Sequence, residues 1–203
     1  MSSLNDGSLT STPPEAESST SWSYPDPQWI AGVTTFDKFG NPHHVARVNT
    51  FTTPPMERDR EFTGQGVLEL SASSDQTDFD VSVKLSLVPS DPEAGLSIKV
   101  SQGWLRASHR AEDPELTTAI RPFHSHDHAE PVEPGTIYRL RIELLPMSFL
   151  AKQGDRIRLE ISNQDSLILD APMTHWYGQK VGTDTYHHGG AHPSSIQLHE
   201  RPR

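Results

Sequence analysis

The run His124-Ser125-His126-Asp127-His128 concentrates more ligating side chains than any other stretch of this sequence. Two imidazoles spaced as His124 and His126 are on an extended segment can reach one ion from the same side, and neutral imidazole is a good zinc ligand. With His128 they form the candidate metal set. Against it stands a plainer reading, favoured here, in which the histidines pack a loop and hydrogen-bond to neighbouring strands. His187, His188 and His192 make a second cluster in a Gly-rich loop, and packing is the favoured reading there too. Ser, His and Asp are plentiful enough to assemble a nucleophilic triad on paper. A serine nucleophile raised on a strand-to-helix turn needs Gly-x-Ser-x-Gly, however, and that motif does not occur. With 0 Cys there is no thiolate nucleophile, thiolate zinc site or disulfide framework. The chemistry-bearing residues therefore lead to no catalytic residue, no cofactor, and a chain that is inactive alone.

Trp104, Trp176, Tyr177 and Tyr186 are the aromatic residues that could stack on a ligand. They raise the alternative of a stand-alone carbohydrate or small-ligand binding module, although aromatics in an all-β domain more often fill the core. Trp176 and Tyr177 stand out because they fall in a segment read as a loop, where binding residues concentrate.

The elements that must position these residues show a period of two. From Phe79 to Leu87 every odd position is apolar and every even position polar, which sends one set to a core and the other to solvent. The alternation returns over Ile137–Leu145 and Asp155–Ile161, and shorter candidates are Val67–Ser71, Leu96–Val100, Trp104–Ser108, Leu167–Leu169 and Ser195–Leu198. Turn chemistry separates them: Ser90-Asp91-Pro92 with Gly95, Glu133-Pro134-Gly135, and Gln153-Gly154-Asp155. No stretch holds a helical apolar stripe for three turns, and 17 Pro would interrupt one. Antiparallel strands without helices predict an all-β sandwich of the jelly-roll, galactose-binding-like kind. Residues 1–25, rich in Ser, Thr, Pro and Glu, read as a flexible tail or linker. Residues 26–203 read as the domain, its first part, up to Met56, wrapping a core built later.

Charge narrows the partners. A formal charge of −10, with 17 Lys and Arg dispersed among 27 acids, repels phosphate backbones and anionic lipid heads, so nucleic acid and membrane are excluded as partners. No apolar run approaches the 18 or so residues a spanning helix needs, and Met1 to Ser21 has no signal-peptide core. Together with the absence of Cys, this predicts a soluble cytoplasmic protein.

Four segments carry a family likeness. Thr63-Gly64-Gln65-Gly66, continuing through Leu70-Ser71-Ala72-Ser73-Ser74-Asp75 to Thr77-Asp78-Phe79, is the first, and Gly103-Trp104-Leu105-Arg106-Ala107-Ser108-His109-Arg110 the second. The third runs from Glu133-Pro134-Gly135 through Ile142-Glu143-Leu144-Leu145-Pro146-Met147-Ser148 to Gly154-Asp155-Arg156-Ile157-Arg158-Leu159-Glu160-Ile161-Ser162. His188-Gly189-Gly190-Ala191-His192-Pro193-Ser194-Ser195 is the fourth. In order and spacing they resemble the C-terminal, non-catalytic jelly-roll domain of X-prolyl dipeptidyl-peptidases, cocaine esterase and α-amino-acid ester hydrolases, the CocE/NonD serine hydrolases. Gly154-Asp155 stands where that family usually has Gly-His, and Leu198-His199 where it has Leu-Pro. The resemblance implies a partner, an α/β-hydrolase catalytic domain in the same chain or a separate one, and allows a homodimer. It also implies that Asp78 and Phe79, with Trp104, Trp176 and Tyr177, border the catalytic pocket or the domain interface.

Overall fold

The structure is a computed structural model that describes residues 2–5, 7–24, 49–91, 93, 97–163 and 182–201. Alternation becomes strand where the sequence predicts it: β6 spans Asp80–Val88, β8 Tyr138–Ala151 and β9 Arg156–Ser162. Their inward positions meet in one core. Val81, Val83 and Leu85 of β6, Leu140, Ile142 and Leu144 of β8, and Leu159 and Ile161 of β9 are all buried together.

The other strands are β1 (Ser2–Asn5), β2 (Ser8–Thr10), β3 (Ser18–Tyr24), β4 (Asn49–Thr52), β5 (Arg60–Ser74), β7 (Ile98–Arg106), β10 (Gly182–His188) and β11 (Ser195–Gln197). One ladder runs β3-β10-β5-β11-β1-β2-β4-β9-β6-β7, with β8 on the other edge of β5. It folds over into two layers, β3-β10-β5-β8 facing β4-β9-β6-β7, with β11, β1 and β2 as the bridge. This is a β-sandwich, and no α-helix occurs among the described residues. No described helix is long and apolar enough to cross a membrane.

Several elements outrun their sequence signal. The predicted runs Leu96–Val100 and Trp104–Ser108 fall, over Ile98–Val100 and Trp104–Arg106, in one strand, β7, which passes through Gly103; Leu96 lies outside the described residues, and Ala107 and Ser108 belong to the 3-10 turn that follows. A Cβ on Gly103 would collide with the Glu143 carbonyl, so glycine is what lets the β7 backbone lie against β8. β8 also continues past Pro146, which ends the alternating run in the sequence. Opposite it, β5 skips register between Gly64 and Gly66, so Leu145 and Pro146 together face Gln65 in a bulge where a missing N–H does no harm. Two of the predicted turns form as their residues dictate: Gly135 and Gly154 have φ of 79° and 90°, the left-handed region that favours glycine, while Pro92 and Gly95 of the third lie outside the described residues.

The N-terminus corrects the reading of residues 1–25 as a flexible tail. Leu4 and Leu9 are buried, and the hairpin between them turns at Gly7. Leu4 N donates to Ser194 O at 2.8 Å and Thr52 N to Gly7 O at 3.1 Å, which ties the hairpin to both layers. β3 pairs along its whole length with β10, and Ser21 and Ser23 meet Thr185 and Thr183 hydroxyl to hydroxyl. Composition misleads here because an edge strand needs few apolar residues when its backbone groups and hydroxyls are paired across the ladder. The predicted strand Leu167–Leu169 and the apolar residues Trp29, Ile30, Phe36 and Phe39 of the segment read as wrapping the core lie outside the described residues.

Candidate functional site

The loops carrying the chemistry emerge at one end of the sandwich, where β5 ends and β6 begins. Asp78 organises that end. Its Oδ1 accepts from Phe79 N at 3.0 Å and Ser108 N at 2.9 Å, and its Oδ2 accepts from Ser108 Oγ at 2.9 Å. The carboxylate thereby fixes the 3-10 turn Ala107–His109 that follows β7. Two residues on, Asp80 faces Arg106 across the β6–β7 register. Arg106 Nε and Nη2 donate to its two oxygens at 2.7 and 3.2 Å, a fork that raises the Arg106 pKa above its ordinary value.

From that turn the chain makes a long excursion, residues 110–137, before entering β8. Glu130 N, Val132 N and Gly135 N donate to Ser108 O, Thr77 O and Ser74 O, which pins the excursion onto the β5–β6 loop. Its outer part is a hairpin closed by Asp113 N on Phe123 O and by the Glu112–His124 bridge. Arg141 of β8 holds this hairpin with Nη1 on Glu112 and Nη2 on the carbonyls of Thr118 and Ala119. Leu116, Ile120 and Phe123 stand out from it at 54%, 39% and 38% exposure.

The histidine run lies on the return limb. His124 Nδ1 faces Arg110 O at 3.2 Å and Nε2 faces Arg141 O at 2.9 Å, so both ring nitrogens are turned to carbonyl oxygens. A neutral imidazole carries one N–H, so one nitrogen donates to its carbonyl while the other keeps its lone pair facing an oxygen, and backbone flanks the ring on both sides. His128 bridges Asp127 and Glu130, whose acceptors raise its pKa, Glu130 first. His126 adopts a left-handed backbone, φ 54°, and its ring lies 5.3 Å from that of His109 and 6.0 Å from that of His124. Desolvation, then the neighbouring His109 and His124, lowers its pKa, although the residue as a whole remains exposed. Among the described residues no three His, Asp or Glu side chains converge to hold an ion.

His126 also lines a shallow groove of about 210 Å³ with Trp104, Asp80, Arg106 and Asn163. The structure thus brings together Trp104 and His126, which the sequence singled out separately, while Asp78 adjoins the groove through Arg106, whose Nε lies 3.9 Å from its Oδ2. Phe79 behaves differently: it is fully buried within the core, so it reaches a partner only through packing. Trp176 and Tyr177 lie outside the described residues; the residues flanking their segment are at this same end, Asn163 in the groove and Thr183 bonded to Asp75. Tyr186 is fully buried too, which removes it from any sugar-stacking platform.

The second histidine cluster packs the sheet. His188 is fully buried, with Nδ1 2.6 Å from Ser18 Oγ, Nε2 3.1 Å from Thr20 Oγ1 and its ring edge-on to Phe51. His187 Nε2 lies 2.9 Å from Ser73 Oγ, and burial, then His192 and His188, lowers its pKa. These are the serine–imidazole contacts of the described residues. The second nitrogen of His188 is on a hydroxyl, and among the described residues no carboxylate hydrogen-bonds either histidine, so these residues supply neither pair with the acid that orients a catalytic base. Sequence reasoning missed Ser108, Asp80 and Arg106 as organisers, and missed the apolar hairpin. Only the Asp80–Arg106 pair had a local signal, since charged residues on adjoining strands often sit opposite each other.

The sequence profile of the X-Pro dipeptidyl-peptidase C-terminal non-catalytic domain matches residues 2–197. A Mycobacterium bovis protein named as a candidate serine esterase is 33% identical over 125 residues, covering 60% of this chain and 19% of that protein. A CocE/NonD family hydrolase from Staphylococcus aureus superimposes with a TM-score of 0.79 at 21% identity, over 99% of this chain and 36% of that one. An aminopeptidase from a marine-sediment Thaumarchaeota archaeon does so with a TM-score of 0.68 at 21% identity, over 98% and 36%. The chain therefore spans about a fifth of the length of that esterase and about a third of the two solved hydrolases.

Proposed function

Because this chain belongs to the X-Pro dipeptidyl-peptidase C-terminal non-catalytic domain family, we propose that it is the accessory domain of a serine hydrolase, docked on an α/β-hydrolase catalytic domain and inactive without it. The observation that carries the docking is the ledge formed by Leu116, Ile120 and Phe123. Three exposed apolar side chains on one short hairpin, in a chain of net charge −10, are costly to leave in water unless a partner covers them. Arg141 holds the ledge in place, so little order has to be gained on binding.

The occupant we assign is a catalytic domain, because the solved relatives carry roughly two-thirds of their chains beyond the part that this chain matches. With the ledge covered, the groove of Trp104, Arg106 and His126 lies at the border of the docked domain, where it can shape one wall of a substrate pocket. Asp78 acts one step back, by fixing the turn that carries the excursion.

A chimera tests this: the Mycobacterium bovis esterase with its own matching region replaced by this chain, assayed on p-nitrophenyl esters. The chimera should hydrolyse at least tenfold faster than the esterase lacking that region. Leu116→Ser, Ile120→Ser and Phe123→Ser together should remove most of that gain while leaving the melting of the isolated chain unchanged. Full activity in the triple variant refutes the assignment, as does self-association of the isolated chain that the triple variant abolishes, since the ledge would then serve a second copy.

A further inference from the structure

At the opposite end of the sandwich, about 45 Å of strand away along β5, a cleft of about 600 Å³ opens between the layers. Its floor is apolar: Leu9 of β2, Ile157 of β9, Ile196 of β11, and Met56, Phe62 and Leu198 beside them. Arg58 and Arg60 line one side. Their charge is incompletely answered. Glu200 takes Arg58 Nη2 at 3.3 Å and Arg60 Nη2 at 2.6 Å, and this pairing, Arg60 first, lowers the Glu200 pKa. Two guanidiniums have ten N–H groups between them, and one carboxylate satisfies few of these. Among the described residues Arg60 Nη1 hydrogen-bonds only to Met56 Sδ, at 3.9 Å, and its buried Nε has no hydrogen-bond partner. A buried guanidinium nitrogen with no acceptor is unusual, because water cannot make good the loss.

We propose that this cleft binds an amphiphilic carboxylate: an aliphatic tail on the Leu9–Ile157–Ile196 floor and a carboxylate on the free N–H groups of Arg58 and Arg60. The volume lies in the range of small-molecule sites, and an apolar lining with a few convergent donors is their usual make-up. Arginine suits the task because its planar fork takes a carboxylate two bonds at a time. Glu57 lines the cleft too and sets the selectivity: it repels a second negative charge, so a monocarboxylate is preferred to a dicarboxylate. The site does not depend on the docking reading, since it lies at the other end of the molecule.

The test is calorimetric titration of the chain with sodium decanoate, with decanol, acetate and sebacate as comparisons. Decanoate should bind saturably at one site, and decanol, acetate and sebacate each at least tenfold more weakly. Arg60→Gln should weaken decanoate at least tenfold and Arg58→Gln at least threefold. Because Arg58 is largely exposed, its substitution keeps the assay readable should Arg60→Gln fail to fold. Decanol binding as well as decanoate, decanoate binding unchanged in Arg58→Gln, or no saturable decanoate binding would each overturn the proposal.

Discussion

Replacing Asp78 separates the parts of the excursion's anchor. Asp78→Ala removes the acceptor of three hydrogen bonds at 2.9–3.0 Å. Two of the orphaned donors are backbone amides of buried residues, Phe79 and Ser108, and a buried amide left unpaired costs about 1–3 kcal/mol. The Ser108 hydroxyl can turn elsewhere, and the Asp78 side chain is itself about a third exposed, which reduces the charge contribution. The total is about 2–4 kcal/mol, or roughly 5–15 °C in Tm for a domain of this size. Asp78→Asn should behave differently. Both amides donate to Oδ1, which asparagine retains, and Ser108 Oγ can reverse to accept from the new amide, so the loss should stay below about 1 kcal/mol. Urea unfolding of both variants measures the difference, and hydrogen exchange at the Ser108 amide locates it. Equal losses in the two variants, or a loss under about 0.5 kcal/mol in Asp78→Ala, would refute the reasoning.

Lys84→Met should cost about 3–5 kcal/mol, because Glu160, paired with Lys84 at 2.8 Å and about 1% exposed in its side chain, would keep only the long 3.4 Å bond from Ser86 Oγ and lose this countercharge. Lys84→Met with Glu160→Leu should recover most of that loss in the same urea assay. Gly103→Ala should cost about 2–3 kcal/mol, because the added methyl meets the Glu143 carbonyl and parts β7 from β8. Acid should weaken the fold through His187: its pKa is lowered on folding, so the unfolded chain binds more protons and stability falls as pH drops below about 6.5. A Tm series from pH 7.5 to 5.5 should show that decline, and His187→Asn should make it shallower. His128 works in the other direction, contributing fully below about 6.5 and losing its contribution as pH rises through its raised folded value.

The fold was legible where alternation is strict. β6, the first half of β8 and β9 follow from the register of Val, Leu and Ile alone, because each apolar position had a single layer to face. β3 was not legible: Ser18–Tyr24 is as polar as a linker and becomes a strand only because β10 offers it a ladder. The continuation of β8 through Pro146 was equally hidden, since the bulge at Leu145 and Pro146 is defined only against Gln65 of β5, about 80 residues away in sequence. The site was half legible. Asp78, Trp104 and His126 were singled out by type and neighbourhood, yet their meeting at one end depends on the β6–β7 register and on the excursion. Phe79 was legible as a core residue, since it opens the alternating run whose odd positions are all apolar, and its burial leaves it only a packing role beside the family motif it belongs to. For His124 the decisive fact is the pair of carbonyls from residues 14 and 17 positions away, which no local pattern encodes.

Reaction of the purified chain with a fluorophosphonate probe, alongside p-nitrophenyl butyrate turnover, tests most directly whether this sandwich is an accessory without a nucleophile of its own. The account predicts no covalent adduct by intact mass and hydrolysis no faster than that of the heat-denatured chain. One stoichiometric serine adduct, or saturable turnover that a serine substitution abolishes, would contradict it.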